Sequence, residues 1–86
     1  MDLNKLISII ELKIKKNTLI EDIKIEDKSF LHKNHISNDK SKFHLKLIIR
    51  SKKLKEMSKI ESTKKIYNIL SQELKIYIHS IQILIS

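Results

Sequence analysis

Of the 86 residues in this chain none is cysteine, so it has no thiolate nucleophile, no disulfide and no sulfur ligand of its own. Any metal would therefore rest on His, Asp or Glu. His32 and His35 stand three apart in a polar run, where two neutral imidazole nitrogens could reach one metal. Two ligands do not complete a site; cysteine sulfur from a second molecule would, and a cluster ligated partly by histidine is chemically reasonable. Two loop histidines that only hydrogen-bond to water fit the same residues equally well. His44 and His79 each begin a strand-like segment, where a structural role is expected of them. Glu73 and Asp27 have no nucleophile to serve and are expected to be solvated carboxylates. Without any glycine, neither a phosphate-cradling loop nor a G-x-S-x-G nucleophile turn can form. The chain is expected not to be an enzyme.

These side chains must be positioned by one small domain spanning residues 1–86. A chain this short buries only about 60% of its unfolded surface, which leaves no material for a substrate cleft between two domains. The longest apolar runs, such as Ile83 to Ile85, fall far below the roughly 18 residues of a membrane span. The N-terminal stretch carries Asp2 and Glu11 and has no small-residue cleavage site, so it does not read as a signal peptide. A reducing compartment, the cytoplasm or an organelle matrix, is the expected location, with no membrane partner.

Net charge is +8, but it is unevenly spread. Residues 1–27 hold five cations and six anions, residues 28–55 nine and one, and residues 56–86 four and three. Seventeen lysines against one arginine, eighteen isoleucines and no alanine or valine look like coding bias toward A and T, which weakens charge as a sign of binding. Lys52, Lys53 and Lys55, with Lys64 and Lys65 a little further on, could contact phosphates. Nothing among them reads bases, so only weak, salt-dependent nucleic-acid binding is expected; a solvated face is the competing reading.

Asp2 can cap a helix whose apolar stripe is Leu3, Leu6, Ile7, Ile10 and Ile14, ending near Lys16. Ile23 and Ile25 alternate with Lys24 and Glu26 in a strand over about 19–27, and residues 28–42 form a long loop, expected to be mobile. Leu45, Leu47 and Ile49 mark a second strand antiparallel to the first. After a helical turn near 52–57, Ser58 and Glu61 suggest a capping box. The long helix it opens carries Ile66, Ile69, Leu70 and Leu74 on one face, with Lys64, Lys65, Gln72 and Glu73 in water. Ile81, Ile83 and Ile85 mark a third strand. The order helix, strand, strand, short helix, helix, strand predicts an α+β domain with a three-stranded sheet covered by helices on one face. If the third strand is parallel to an earlier one, a right-handed crossover is expected.

Four segments together resemble the BolA family. Asp27-Lys-Ser29-Phe-Leu-His32-Lys-Asn-His35 is similar to its D-x-S-x-x-H segment, and His44-Leu-Lys46-Leu-Ile-Ile-Arg-Ser51 to its H-F-K-V-x-x-x-S strand. Ile66-Tyr67, Leu70 and Glu73-Leu74 resemble the I-Y-x-x-L-x-x-E-L of its long helix, and Ile78-His79-Ser80-Ile81 its V-H-A-L segment. The resemblance implies a class II KH-like fold, binding to a monothiol glutaredoxin and a [2Fe-2S] cluster shared with it; it also implies DNA-binding, regulatory character in bacteria. It further implies a cluster histidine near the start of the long helix, where this chain has Thr63, leaving His32 and His35 as the matching ligands. A threonine hydroxyl is a poor iron ligand. The family's loop glycines are also missing, so any positive φ there falls to residues such as Asn34 and Asn38. The KH likeness brings no nucleic-acid clamp, because the G-x-x-G loop is absent.

Overall fold

Leu6, Ile10 and Ile14 recur every four residues on α1 (Leu3–Asn17) and are fully buried, which is what fixes this helix to the rest of the chain. The computed structural model describes residues 1–29 and 42–86. His32, His35, Asn34 and Asn38 lie outside the described residues. The Asp2 side chain accepts from the Lys5 amide at 2.9 Å and caps α1 as expected. The chain then forms β1 (Asp22–Asp27), β2 (Phe43–Arg50), α2 (Lys52–Lys55), α3 (Lys59–Ile69), α4 (Ser71–Ile76) and β3 (Ile78–Ile85). The first strand is shorter than the 19–27 expected, because Leu19 and Ile20 serve the turn that follows α1.

The three strands form one sheet in the order β1-β2-β3, with β1 antiparallel and β3 parallel to β2. Register puts Ile23, Ile49 and Ile85 in one row and Ile25, Leu47 and Ile83 in the next. These residues face Leu6, Ile10, Ile14, Leu54, Ile66 and Leu70, with Leu74 packed against them, so all the helices contribute to a core on one side of the sheet. Residues of opposite parity, among them Lys24, Lys46, Ile48, Gln82 and Leu84, form the other face. The α+β architecture expected from the sequence is the one observed.

Two expectations need correction. The long helix is divided at Leu70, whose φ of −99° and ψ of 18° depart from helical values, into α3 and α4. Glu73 is buried rather than solvated, its carboxylate held 2.7 Å from the Lys13 ammonium of α1. The reason is a distant partner: the Lys13 ammonium on α1, sixty residues away in sequence, supplies the counter-charge that lets this carboxylate be buried. The Ser58 hydroxyl accepts from the Glu61 amide at 3.1 Å, and it also donates to the Glu61 carboxylate at 3.2 Å. Among the described residues no backbone has positive φ, so the want of glycine costs nothing there.

Candidate functional site

The ends of the loop following β1 are tied to the start of β2 by a relay of short polar contacts. Asp27 Oδ1 accepts from the Ser29 amide at 2.9 Å, and Ser29 Oγ accepts from the His44 amide at 3.1 Å. The Lys28 amide donates to the His44 carbonyl at 2.7 Å. The D-x-S segment is thus tied to the start of β2, and Asp27 has a structural task rather than being merely solvated. On the other side of β2, the Phe43 amide donates to the Tyr77 carbonyl at 2.9 Å, bringing the start of β3 to the same corner.

The imidazole of His44 is nearly buried, and its Nδ1 lies 2.7 Å from Ser80 Oγ. Its ring stands against that of His79, with centroids 4.8 Å apart and planes tilted by 48°. His79 itself is exposed. The cause is a bulge: Phe43 pairs with Ile78 but His44 pairs with Ser80, so His79 is an extra residue in β3. Bulges re-aim side chains, and this one turns His79 outward between the core residue Ile78 and the opposite-face residue Ser80. His44 fits the structural role expected of it; His79 is exposed and meets the fold through its ring contact with His44. Its signal was in the sequence, since the apolar positions 78, 81, 83 and 85 break period two by one residue at this point.

Beside this corner lies an open hollow of about 460 Å³ lined by Lys28, His44, Lys46, Ser80 and Gln82 among others. Glu26 lies 3.7 Å from the ammonium groups of both Lys24 and Lys28, so it offsets part of the positive charge there. Among the described residues no group of three or more His, Cys, Asp or Glu could hold a metal. Among the described residues the exposed imidazole of His79 is one nitrogen ligand, which does not complete a metal site by itself.

Thr63 is far from this corner. It lies half-buried in α3 and lines a groove with Lys55, Met57, Lys59, Ile83 and Ile85, at the C-terminal end of β3. Five residues of strand separate Ile78 from Ile83, about 16 Å at the usual rise. The loop's anchored ends and His79 share one end of the sheet; Thr63 occupies the other.

The candidate phosphate-binding lysines do not gather into one patch. Lys52 and Lys55 join Arg50 around a hollow of about 520 Å³ that also contains Glu21 and Glu56. Lys53 is exposed outside that lining, Lys64 is exposed on α3, and Lys65, next to it, is half-buried. Successive residues of a helix point 100° apart, so Lys64 and Lys65 diverge. The Glu21 carboxylate accepts from the Lys52 amide at 3.1 Å, placing negative charge within the cationic hollow.

Comparison with known proteins agrees with this geometry. The family model described as BolA-like protein matches residues 14–86. A Haemophilus influenzae protein named DNA-binding transcriptional regulator BolA is 37% identical over 73 residues, covering 85% of this chain and 68% of that protein. Among solved structures, the BolA domain of SufE1 from Arabidopsis thaliana superposes with a TM-score of 0.77 at 26% identity, covering 100% of this chain and 93% of that one. BolA1 from the same plant gives 0.74 at 26% identity, over 91% and 86%. With the family pattern spanning the last turn of α1, the sheet and every later helix, this chain belongs to the BolA-like protein family.

Proposed function

We propose that this protein is a non-enzymatic binding module that associates with a monothiol glutaredoxin and shares a [2Fe-2S] cluster with it, serving iron-sulfur handling or iron and redox signalling. The observation carrying this reading is the convergence at one sheet corner of an exposed His79, the His44–Ser80 pair that braces it and both anchors of the segment bearing His32 and His35. Imidazole nitrogen from this chain and thiolate from the partner complete a mixed coordination sphere, in which histidine ligation raises the reduction potential. His44 acts as a positioning residue, because a buried ring hydrogen-bonded at Nδ1 holds its neighbour's orientation. The lysines beside the hollow favour an anionic, thiolate-bearing companion. Mixing the purified proteins with iron, sulfide and glutathione should produce a heterodimer on size exclusion and a visible circular dichroism spectrum distinct from that of the glutaredoxin alone. An unchanged spectrum with no heterodimer refutes the reading.

A second reading, DNA binding in a stress or morphology regulator, is favoured by the printed name of the Haemophilus influenzae relative. Here it would rest on Arg50, Lys52 and Lys55, with Lys53, Lys64 and Lys65 as separate outlying cations. It predicts duplex affinity above that of an unrelated lysine-rich protein, and equal affinity dismisses it.

A further inference from the structure

The two outer strands of the sheet differ sharply in how they are protected against pairing. Edge strands commonly carry charge, lysine above all, because their unpaired backbone groups invite another strand. β1 follows the rule, with Asp22, Lys24, Glu26 and Asp27 in six residues. β3 does not: Ile-His-Ser-Ile-Gln-Ile-Leu-Ile contains no lysine, arginine, aspartate or glutamate, in a chain with seventeen lysines. It also has no proline or glycine, and its bulge lies at the N-terminal end, leaving Ser80 to Ile85 in regular register. Among the described residues nothing pairs with its outer side. Ile81, Ile83 and Ile85 remain partly exposed, whereas Leu45, Leu47 and Ile49 in the neighbouring strand are buried.

A groove of about 310 Å³ adjoins the C-terminal half of this strand. Leu54, Met57, Ile83 and Ile85 give it apolar walls, and Lys55 and Lys59 supply positive charge with no carboxylate in the lining. Neither lysine is paired with an acid among the described residues. A strand laid against β3 would turn alternate side chains toward this groove and present the rest on the other face.

We infer that the free edge of β3 is a strand-addition site for an extended segment of a partner protein, apolar and acidic in alternation, with its carboxylates meeting Lys55 and Lys59. Charge decides between occupants. A second copy pairing through its own β3 would bring no acid to Lys59 and would join two chains of net charge +8, whereas an acidic segment gains at both points. The site is separate from the histidine corner and does not depend on cluster binding.

The test is an amide NMR titration of the whole protein with a synthetic blocked peptide of alternating valine and glutamate. Saturable shifts should centre on Gln82 to Ile85 and Lys59 to Thr63, with added amide protection along β3. The same peptide N-methylated along one edge should lose binding, and Lys59→Glu should weaken the parent peptide at least about fivefold. A variant with His32, His35 and His79 all replaced by alanine should bind unchanged, so loss of cluster chemistry and loss of this site are read separately. Equal binding by the N-methylated peptide, or no shifts on β3, overturns the inference. So does concentration-dependent dimerisation abolished by Ile83→Lys without any peptide binding, which would give the edge to a second copy.

Discussion

Removing the ammonium of Lys13 should destabilise this protein far more than removing the carboxylate it pairs with. The Glu73 side chain is 7% exposed and that of Lys13 34%, with Lys13 Nζ 2.7 Å from Glu73 Oε2. The other oxygen, Oε1, is buried with no hydrogen-bond partner. In Lys13→Met the carboxylate stays buried and loses its counter-charge, a change that costs about 3–5 kcal/mol when both partners are deeply buried. Because Lys13 is a third exposed, solvent screens part of the pair and the loss falls to about 2–3 kcal/mol. For a domain of this size that corresponds to a drop in Tm of roughly 8–24 °C. Glu73→Leu instead removes the buried charge and the unpartnered oxygen together, while Lys13 turns to water, so its cost should stay below about 1 kcal/mol. The double variant should lie near Glu73→Leu. Urea and thermal unfolding followed by far-ultraviolet circular dichroism measure all three. Equal losses in the two single variants, or a loss under about 0.5 kcal/mol in Lys13→Met, would refute the assignment of Glu73 as a buried, ion-paired group. The functional side of this pair is positional: the Glu73 carbonyl accepts from the Tyr77 amide at 2.8 Å, just before β3 begins.

Ser51 caps α2 through Leu54 at 3.1 Å and donates to the Leu19 carbonyl at 2.6 Å, so Ser51→Ala should cost about 2 kcal/mol in urea unfolding. If Arg50, Lys52 and Lys55 are the three phosphate contacts, duplex affinity should fall about 40-fold between 50 and 200 mM salt, on a logarithmic slope near −2.7. Replacing all three with glutamine should flatten that slope, as measured by anisotropy across a salt series.

Much of the architecture was legible because it follows from periodicity. The stripe of Leu6, Ile10 and Ile14 and the alternation of Leu45, Leu47 and Ile49 each bury the face that spacing indicates. What could not be read locally depended on partners distant in the chain. Glu73 looked like a solvent residue because it is charged, yet its counter-ion sits on α1, sixty residues away. The break at Leu70 was hidden because Ile66, Ile69, Leu70 and Leu74 also suit an unbroken helix. At the site, the D-x-S residues were visible without their meaning, which needed the distant His44 amide as donor to Ser29 Oγ. The outward turn of His79 was encoded in the three-residue step from Ile78 to Ile81, but it resembles simple alternation until the strands are paired. Lysine positions gave the poorest guidance: sequence neighbours such as Lys64 and Lys65 diverge on a helix, while Arg50 and Lys55 converge across a turn.

Histidine ligation of a shared cluster, as proposed, comes from the β3-entry corner and not from the Thr63 end of the sheet. Nitrogen hyperfine spectroscopy of the reduced cluster in the glutaredoxin complex tests it directly. His79→Ala should abolish a histidine nitrogen coupling while the heterodimer persists, and Thr63→His should leave the spectrum as it was. A spectrum indifferent to His79→Ala, or one that gains a new nitrogen coupling from Thr63→His, would contradict it.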